Sequence, residues 1–198
     1  FVHHDVKLGN LLVAIDDAEG AQLTAAEILQ AMADGRTRGV LIDFGAARSA
    51  AFLAELNSGE VDASEIPPQL TPVYSPPEAL LEVEGRRTLL PSLDLYAAAI
   101  VSYSLFCGRT AYEHLGIAAN DVRHLLEVKA KERRGRELPI SFEFLTRTPG
   151  MAELGNELFG FLSCCLSGDP AQRPSAPDAS LFCDELQAWY LAALAAAP

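Results

Sequence analysis

Lysine is scarce in this sequence. Lys7, Lys129 and Lys131 are the only three in 198 residues, and 15 basic side chains face 27 acidic ones, for a net charge of −12. A chain this acidic is poorly suited to a phosphate backbone, so nucleic acid is not expected as a partner. Long apolar runs are missing as well. No stretch of 18 or more apolar residues occurs, so no membrane span is expected. Cysteine is limited to Cys107, Cys164, Cys165 and Cys183, with no C-x-x-C pair or other metal-ligand spacing. These are expected to be reduced, mostly buried thiols of a cytoplasmic chain. No charged leader followed by an apolar run opens the sequence, so no signal peptide is expected. The chain begins on Phe1 rather than Met, which points to a natural start further upstream.

What is present is enough for one ordinary domain. Apolar residues make up 49% of the chain, sufficient for a sizeable core. Leu11 to Ile15 and Val40 to Phe44 read as short apolar strands. Between them Thr24 and Glu27 have capping-box spacing, Leu23 and Ile28 stand at staple positions, and Gly35 supplies a stop. A small helix over 25–34, within an insert of about 23–35, is therefore predicted. Ala46 to Leu70 reads as a long loop with one helical turn near Ala50 to Leu56. After Pro91 the pattern turns helical. Leu95 to Phe106 is apolar nearly all round and reads as a buried central helix. Val122, Leu125 and Leu126 form one stripe. Leu154, Leu158, Phe161, Leu162 and Cys165 form another, and Phe182, Leu186, Trp189 and Ala193 a third. Lys129 to Arg136 reads as a solvated helix end, and Trp189 as core. The fold class is thus mainly α, a helical bundle with a small hairpin-like β element.

The chemistry concentrates in two places. Residues 3–10 contain the skeleton H-x-D-x-K-x-x-N as His3, Asp5, Lys7 and Asn10. Phosphoryl transfer needs a carboxylate near the attacking hydroxyl, a cation on the transferring phosphate and oxygen ligands for Mg²⁺. Asp5, Lys7 and Asn10 supply all three within six positions. Asp43-Phe44-Gly45 then places a carboxylate at the end of a buried strand. A hard cation takes one or two carboxylates together with phosphate oxygens, and Asn10 with Asp43 meets that need.

These segments resemble the C-terminal lobe of a eukaryotic-type protein kinase, of the serine/threonine branch. His3 to Asn10 is similar to the catalytic loop H-R-D-x-x-x-x-N, and Asp43-Phe44-Gly45 matches D-F-G. Thr71-Pro72-Val73-Tyr74-Ser75-Pro76-Pro77-Glu78 resembles the T-P-x-Y-x-A-P-E end of an activation segment, with Pro76 in place of Ala. Ser92-Leu93-Asp94-Leu95-Tyr96 resembles the start of the family's central helix, and residues 105–112 its L-x-x-G-x-x-P-F exit. Residues 165–175 resemble C-L-x-x-D-P-x-x-R-P-S.

The resemblance implies a role for each matching position. Asp5 would accept the substrate proton, Lys7 would neutralise the γ-phosphate, and Thr71 would bond to both and shape the site. Asn10 and Asp43 would hold Mg²⁺, and Leu12 would lie under the adenine of ATP. Glu78 with Arg173 would anchor the activation segment (43–78), and Asp94 would hold the catalytic-loop backbone. Residues 1–190 would form the lobe and 191–198 an Ala-rich tail. The substrate would be protein serine or threonine, and activity would need the N-terminal lobe.

Several positions depart from the family pattern. His4 replaces an Arg that usually receives an activation-loop phosphate, and a His pairs weakly with phosphate. Gly9 stands where kinases of basic substrates often carry Glu. No G-x-G-x-x-G loop and no strand lysine for ATP occur in these residues. A non-catalytic, pseudokinase-like scaffold is therefore the alternative reading. A small-molecule phosphotransferase of kinase-like fold would share H-x-D-x-x-x-x-N but would usually lack the Pro-Pro-Glu and D-P-x-x-R-P segments.

Overall fold

A computed structural model describes residues 1–16, 18, 20, 22–60, 70–82, 88–147 and 155–184. The described residues are mainly helical, with one two-stranded antiparallel sheet. In chain order they form β1 (Leu11–Ile15), α1 (Ala25–Ala33), β2 (Thr37–Leu41), α2 (Ala50–Ser58), α3 (Pro77–Leu80), α4 (Ser92–Cys107), α5 (Val122–Glu132), α6 (Phe142–Thr146) and α7 (Gly155–Cys165). Helical backbone also runs over 176–184.

The hairpin pairs Leu11 with Leu41 and Ile15 with Thr37. β1 lies where the sequence predicts it, whereas β2 begins and ends three residues earlier than Val40 to Phe44. The backbone leaves the sheet before the motif: Asp43 adopts a left-handed conformation (φ 63°, ψ 67°), and Phe44–Ala46 close a 3-10 turn. The apolar run Val40 to Phe44 carries no mark of that break, so period alone extends the strand too far. The insert forms as predicted. Thr24 accepts the Glu27 amide while the Glu27 carboxylate accepts the Thr24 amide, a complete capping box. The turn foreseen near Ala50 is a nine-residue helix, capped by the Ser49 hydroxyl and closed by Gly59 at φ 84°.

α4 is the centre of the helical layer. Tyr96, Ala99, Ile100 and Tyr103 are buried on it, and it packs on α6 and α7, which also pack on each other. Leu125, Val128, Leu145, Leu158, Leu162, Cys165 and Leu166 complete this core, and α3 packs on α5. Phe182 stacks on Phe161 at 3.9 Å between ring centres. Val122 is exposed, so the buried stripe of α5 is Leu125 with Val128. Leu154, Leu186, Trp189, Ala193 and the tail 191–198 lie outside the described residues.

Two expectations are corrected. The cysteines are free, but Cys164 and Cys183 are exposed and only Cys165 is fully buried. Cys164 and Cys165 are adjacent on α7, so a helical turn sends them in different directions and only one can face the core. The stretch Lys129 to Arg136 is not simply a solvated helix end, because Lys129 and Glu132 are among the most deeply buried side chains of the protein. They face α4 while Lys131, Arg133, Arg134 and Arg136 are exposed.

Candidate active site

The segment before β1 is held from both sides. The His3 and His4 amides donate to the two carboxylate oxygens of Asp94, at 2.5 and 2.8 Å, from the first turn of α4. Val2 forms an antiparallel bridge with Arg48, just beyond the Asp43-Phe44-Gly45 turn. His3 is buried, with Nε2 3.0 Å from the Ile42 carbonyl and Nδ1 accepting the Asp5 amide at 3.3 Å. This pattern fixes Nε2 as the protonated nitrogen. The His3 ring also meets Phe44 edge-on at 4.8 Å. The imidazole therefore links Asp5 to both sides of Asp43, a role that sequence reading missed. The visible signal was His3 itself, the first residue of the H-x-D-x-K-x-x-N skeleton.

Four predicted residues come together. Lys7 Nζ lies 2.6 Å from Asp5 Oδ2 and 3.5 Å from Thr71 Oγ1. The Thr71 hydroxyl donates to Asp5 Oδ1 at 2.9 Å. Asn10 Nδ2 donates to the Asp5 carbonyl at 2.9 Å and to Asp5 Oδ2 at 3.0 Å. Both carboxylate oxygens of Asp5 are thus engaged, and the group is fixed in direction. Thr71 is 66 residues away in sequence and arrives through the turn Thr71 to Ser75, closed by Tyr74 N–H to Thr71 O at 2.9 Å.

Asp43 and Asn10 are joined through the backbone, since the Ile42 amide donates to the Asn10 carbonyl at 2.9 Å. The Asp43 carboxylate is exposed and accepts the Gly45 amide at 3.4 Å. Asn10 uses its amide nitrogen on Asp5, so its amide oxygen is the group left for a cation. One carboxylate and one amide oxygen suit Mg²⁺, which takes few protein ligands and completes its shell with phosphate and water. Among the described residues no three His, Cys, Asp or Glu side chains gather into a denser metal site. Leu12 is half exposed on β1.

The protein kinase domain family model matches residues 1–181. The chain belongs to the protein kinase domain family. No individual curated protein matches it.

Other parts of this kinase domain hold the site in place. Arg173 and Glu78 form a bidentate buried pair at 2.7 and 2.9 Å, and the guanidinium also donates to the Ser167 carbonyl. This pins α3, six residues after Thr71, to the body of the domain. Beside it lies a cluster that sequence reading did not find. Lys129 donates to the hydroxyls of Tyr96 and Tyr112 and lies 3.5 Å from Glu132 Oε2, which accepts the Tyr96 hydroxyl at 2.6 Å. Burial pushes the Lys129 ammonium down to about 8, against the pull of Glu132. The same burial raises Tyr96 and Tyr112 well above their usual value. The available signal was the i,i+3 pair Lys129 and Glu132, together with tyrosines at two motif positions, but nothing local marks them as buried.

His4 is also buried, at a positive φ of 68°. Burial lowers its pKa despite the nearby Asp94 carboxylate, and its Nε2 has no hydrogen-bond partner among the described residues. Burial thus disfavours its charged form.

Proposed function

We propose that this domain transfers the γ-phosphoryl group of ATP to serine or threonine hydroxyls of protein substrates. The observation that carries the reading is the convergence of Lys7, Asn10 and Thr71 on the two oxygens of Asp5. Asp5 accepts the proton of the attacking hydroxyl as its oxygen bonds to the γ-phosphorus and the bond to the β–γ bridging oxygen breaks, releasing ADP. Lys7 offsets charge on the transferring group. Thr71 holds Asp5 and Lys7 in register and sits where the hydroxyl-bearing residue must pass. Asn10 and Asp43 hold Mg²⁺, which neutralises phosphate charge when bound. Leu12 supports the adenine.

Residues 1–190 act here as the C-terminal lobe, with 191–198 a tail. The 198 residues contain no glycine-rich loop and no strand lysine for ATP, so the reaction requires those groups from outside this segment. The buried His4, whose charged form burial disfavours, supports a kinase that does not depend on an activation-loop phosphate, because it is a weak cation for that phosphate. Four free thiols suit a cytoplasmic setting. The second reading, a non-catalytic scaffold, is motivated by His4 and Gly9, which depart from the family pattern within the matched segment. Incubating the full-length protein with labelled Mg-ATP and a mixed serine, threonine and tyrosine peptide library separates these readings. Label on serine and threonine is expected. Label on tyrosine alone would refute the specificity, and bound ATP with no transfer would favour the scaffold.

A further inference from the structure

Helix α2 lies between the Asp43-Phe44-Gly45 turn and Thr71, in a stretch that carries no motif. It has nine residues, and helices shorter than about 12–15 residues are marginal in water unless outside contacts hold them. Leu53 and Leu56 are buried and supply part of that support. A further part comes from the last turn. Asn57 Nδ2 donates to the Leu89 carbonyl at 2.8 Å, and Asn57 Oδ1 accepts the Leu89 amide at 3.3 Å. One carboxamide thus satisfies both backbone groups of a residue 32 positions away, as a neighbouring strand would.

This joint closes a ring around the catalytic loop. Val2 and Arg48 exchange two backbone hydrogen bonds, each at 2.9 Å. Arg48 directly precedes Ser49, the N-cap of α2. The far end of α2 is tied to Leu89, just before α4 begins at Ser92. Asp94, in the first turn of α4, takes the His3 and His4 amides, and His3 follows Val2. The path through Val2, Arg48, α2, Leu89, Asp94 and His3 therefore returns to its start, and each of its joints is a pair of hydrogen bonds. Asp5 follows His4 on this ring. Asp43 sits between two anchored residues, Ile42 on Asn10 and Arg48 on Val2. The Val2 joint is backbone on both sides, and Asp94 stands in a family motif. Asn57 stands outside every motif, yet its side chain alone makes the remaining joint.

We infer that Asn57 is a positioning residue, whose carboxamide fastens α2 to Leu89 and so holds the Asp43 turn and the catalytic loop in one frame. Its effect on Mg²⁺ use and catalysis rests on the proposed phosphoryl transfer, whereas the fastening does not.

The test compares the full-length protein with N57A and with S58A as a control on the same turn. Ser58 bonds within the helix, to the Glu55 carbonyl. Alanine is a better helix former than asparagine, so propensity alone would tighten α2 in N57A. Hydrogen exchange in N57A is expected to quicken about tenfold at residues 50–58 and 88–90, as loss of two hydrogen bonds would produce. It should stay unchanged in α4 and α7. At saturating ATP and peptide substrate, the Mg²⁺ concentration for half-maximal transfer should rise at least about threefold, and kcat should fall by a similar factor. Binding of a fluorescent ATP analogue should need the same excess of Mg²⁺, a readout that a merely structural role would not move. S58A should match the parent throughout. The inference is overturned if α2 exchange is unchanged in N57A, if it quickens equally across α4 and α7, or if S58A reproduces it. Faster α2 exchange with unchanged Mg²⁺ dependence and kcat would reduce Asn57 to a structural residue and overturn it as well. A parent that binds ATP but transfers nothing would refute the proposed transfer alone. Exchange and Mg²⁺-dependent nucleotide binding would then still decide the role of Asn57.

Discussion

Removing the Glu132 carboxylate isolates the energetics of the buried lysine. In Glu132→Leu the Lys129 ammonium stays fully buried among Tyr96, Tyr112 and the Glu78–Arg173 pair, but its counter-charge is gone. Breaking a buried ion pair from one side costs about 3–5 kcal/mol, because it strands an uncompensated charge. Adding Lys129→Met removes that charge and leaves the Tyr96 and Tyr112 hydroxyls bonded to each other at 3.1 Å. The double variant should recover most of the loss and equal or exceed the parent, as apolar replacement of buried pairs often does. Urea unfolding followed by far-ultraviolet circular dichroism measures both, with an unchanged m-value as the check that unfolding exposes the same surface.

A pH series tests the same cluster. The folded lysine titrates at about 8 and the unfolded one near 10.5. Below pH 8 both states are protonated and the full penalty is present. Between pH 8 and 10.5 the unfolded chain binds more protons, so stability rises with pH, by about 3 kcal/mol over the full window. Tyr96 and Tyr112 act oppositely above pH 10, where unfolded tyrosines ionise and folded ones do not. Measurement between pH 7 and 10 therefore shows the rise in the parent, and the double variant should lose it. A neutral Glu132→Leu, or a double variant less stable than either single one, would refute the reasoning.

Other outcomes follow from the same contacts. Arg173→Ala leaves Glu78 buried without its partner and should lower stability by about 3–5 kcal/mol, read as a fall in melting temperature and as faster proteolysis of the segment ending at α3. Gly168→Ala should destabilise by at least about 1–3 kcal/mol, since a Cβ there would fall 1.9 Å from the Glu132 carbonyl oxygen and backbone must move. A parent-like melt would contradict the close approach. Thr71→Val removes the hydrogen bond to Asp5 at 2.9 Å. With a bond to a charged group contributing about 1.5–3 kcal/mol, kcat of the full-length protein should fall at least tenfold while the melting temperature changes little.

Much of this was legible in the sequence because the informative features were local. The capping box of α1 needs only Thr24 and Glu27, and β1 needs only a short apolar run bounded by polar residues. The motif residues Asp5, Lys7 and Asn10 lie within six positions, so their proximity follows from chain geometry. Thr71 and the Glu78–Arg173 pair could be placed only through family resemblance, since 66 and 95 residues separate the partners. The end of β2 was lost because Asp43 leaves the sheet through a backbone conformation that side-chain pattern does not encode. Lys129 was misread for a related reason. Its neighbours Lys131, Arg133 and Arg134 are solvated, and it is the distant hydroxyls of Tyr96 and Tyr112, together with Glu132, that make burial of an ammonium tolerable.

The most direct test compares the full-length protein with its Asp5→Asn variant under saturating Mg-ATP, with binding of a fluorescent ATP analogue measured alongside transfer of labelled phosphate to protein serine and threonine. The account predicts near-equal nucleotide binding and a fall in transfer of at least about 10²-fold, the range for loss of a general base. Equal transfer by parent and variant, or nucleotide binding with no transfer by either, would contradict it.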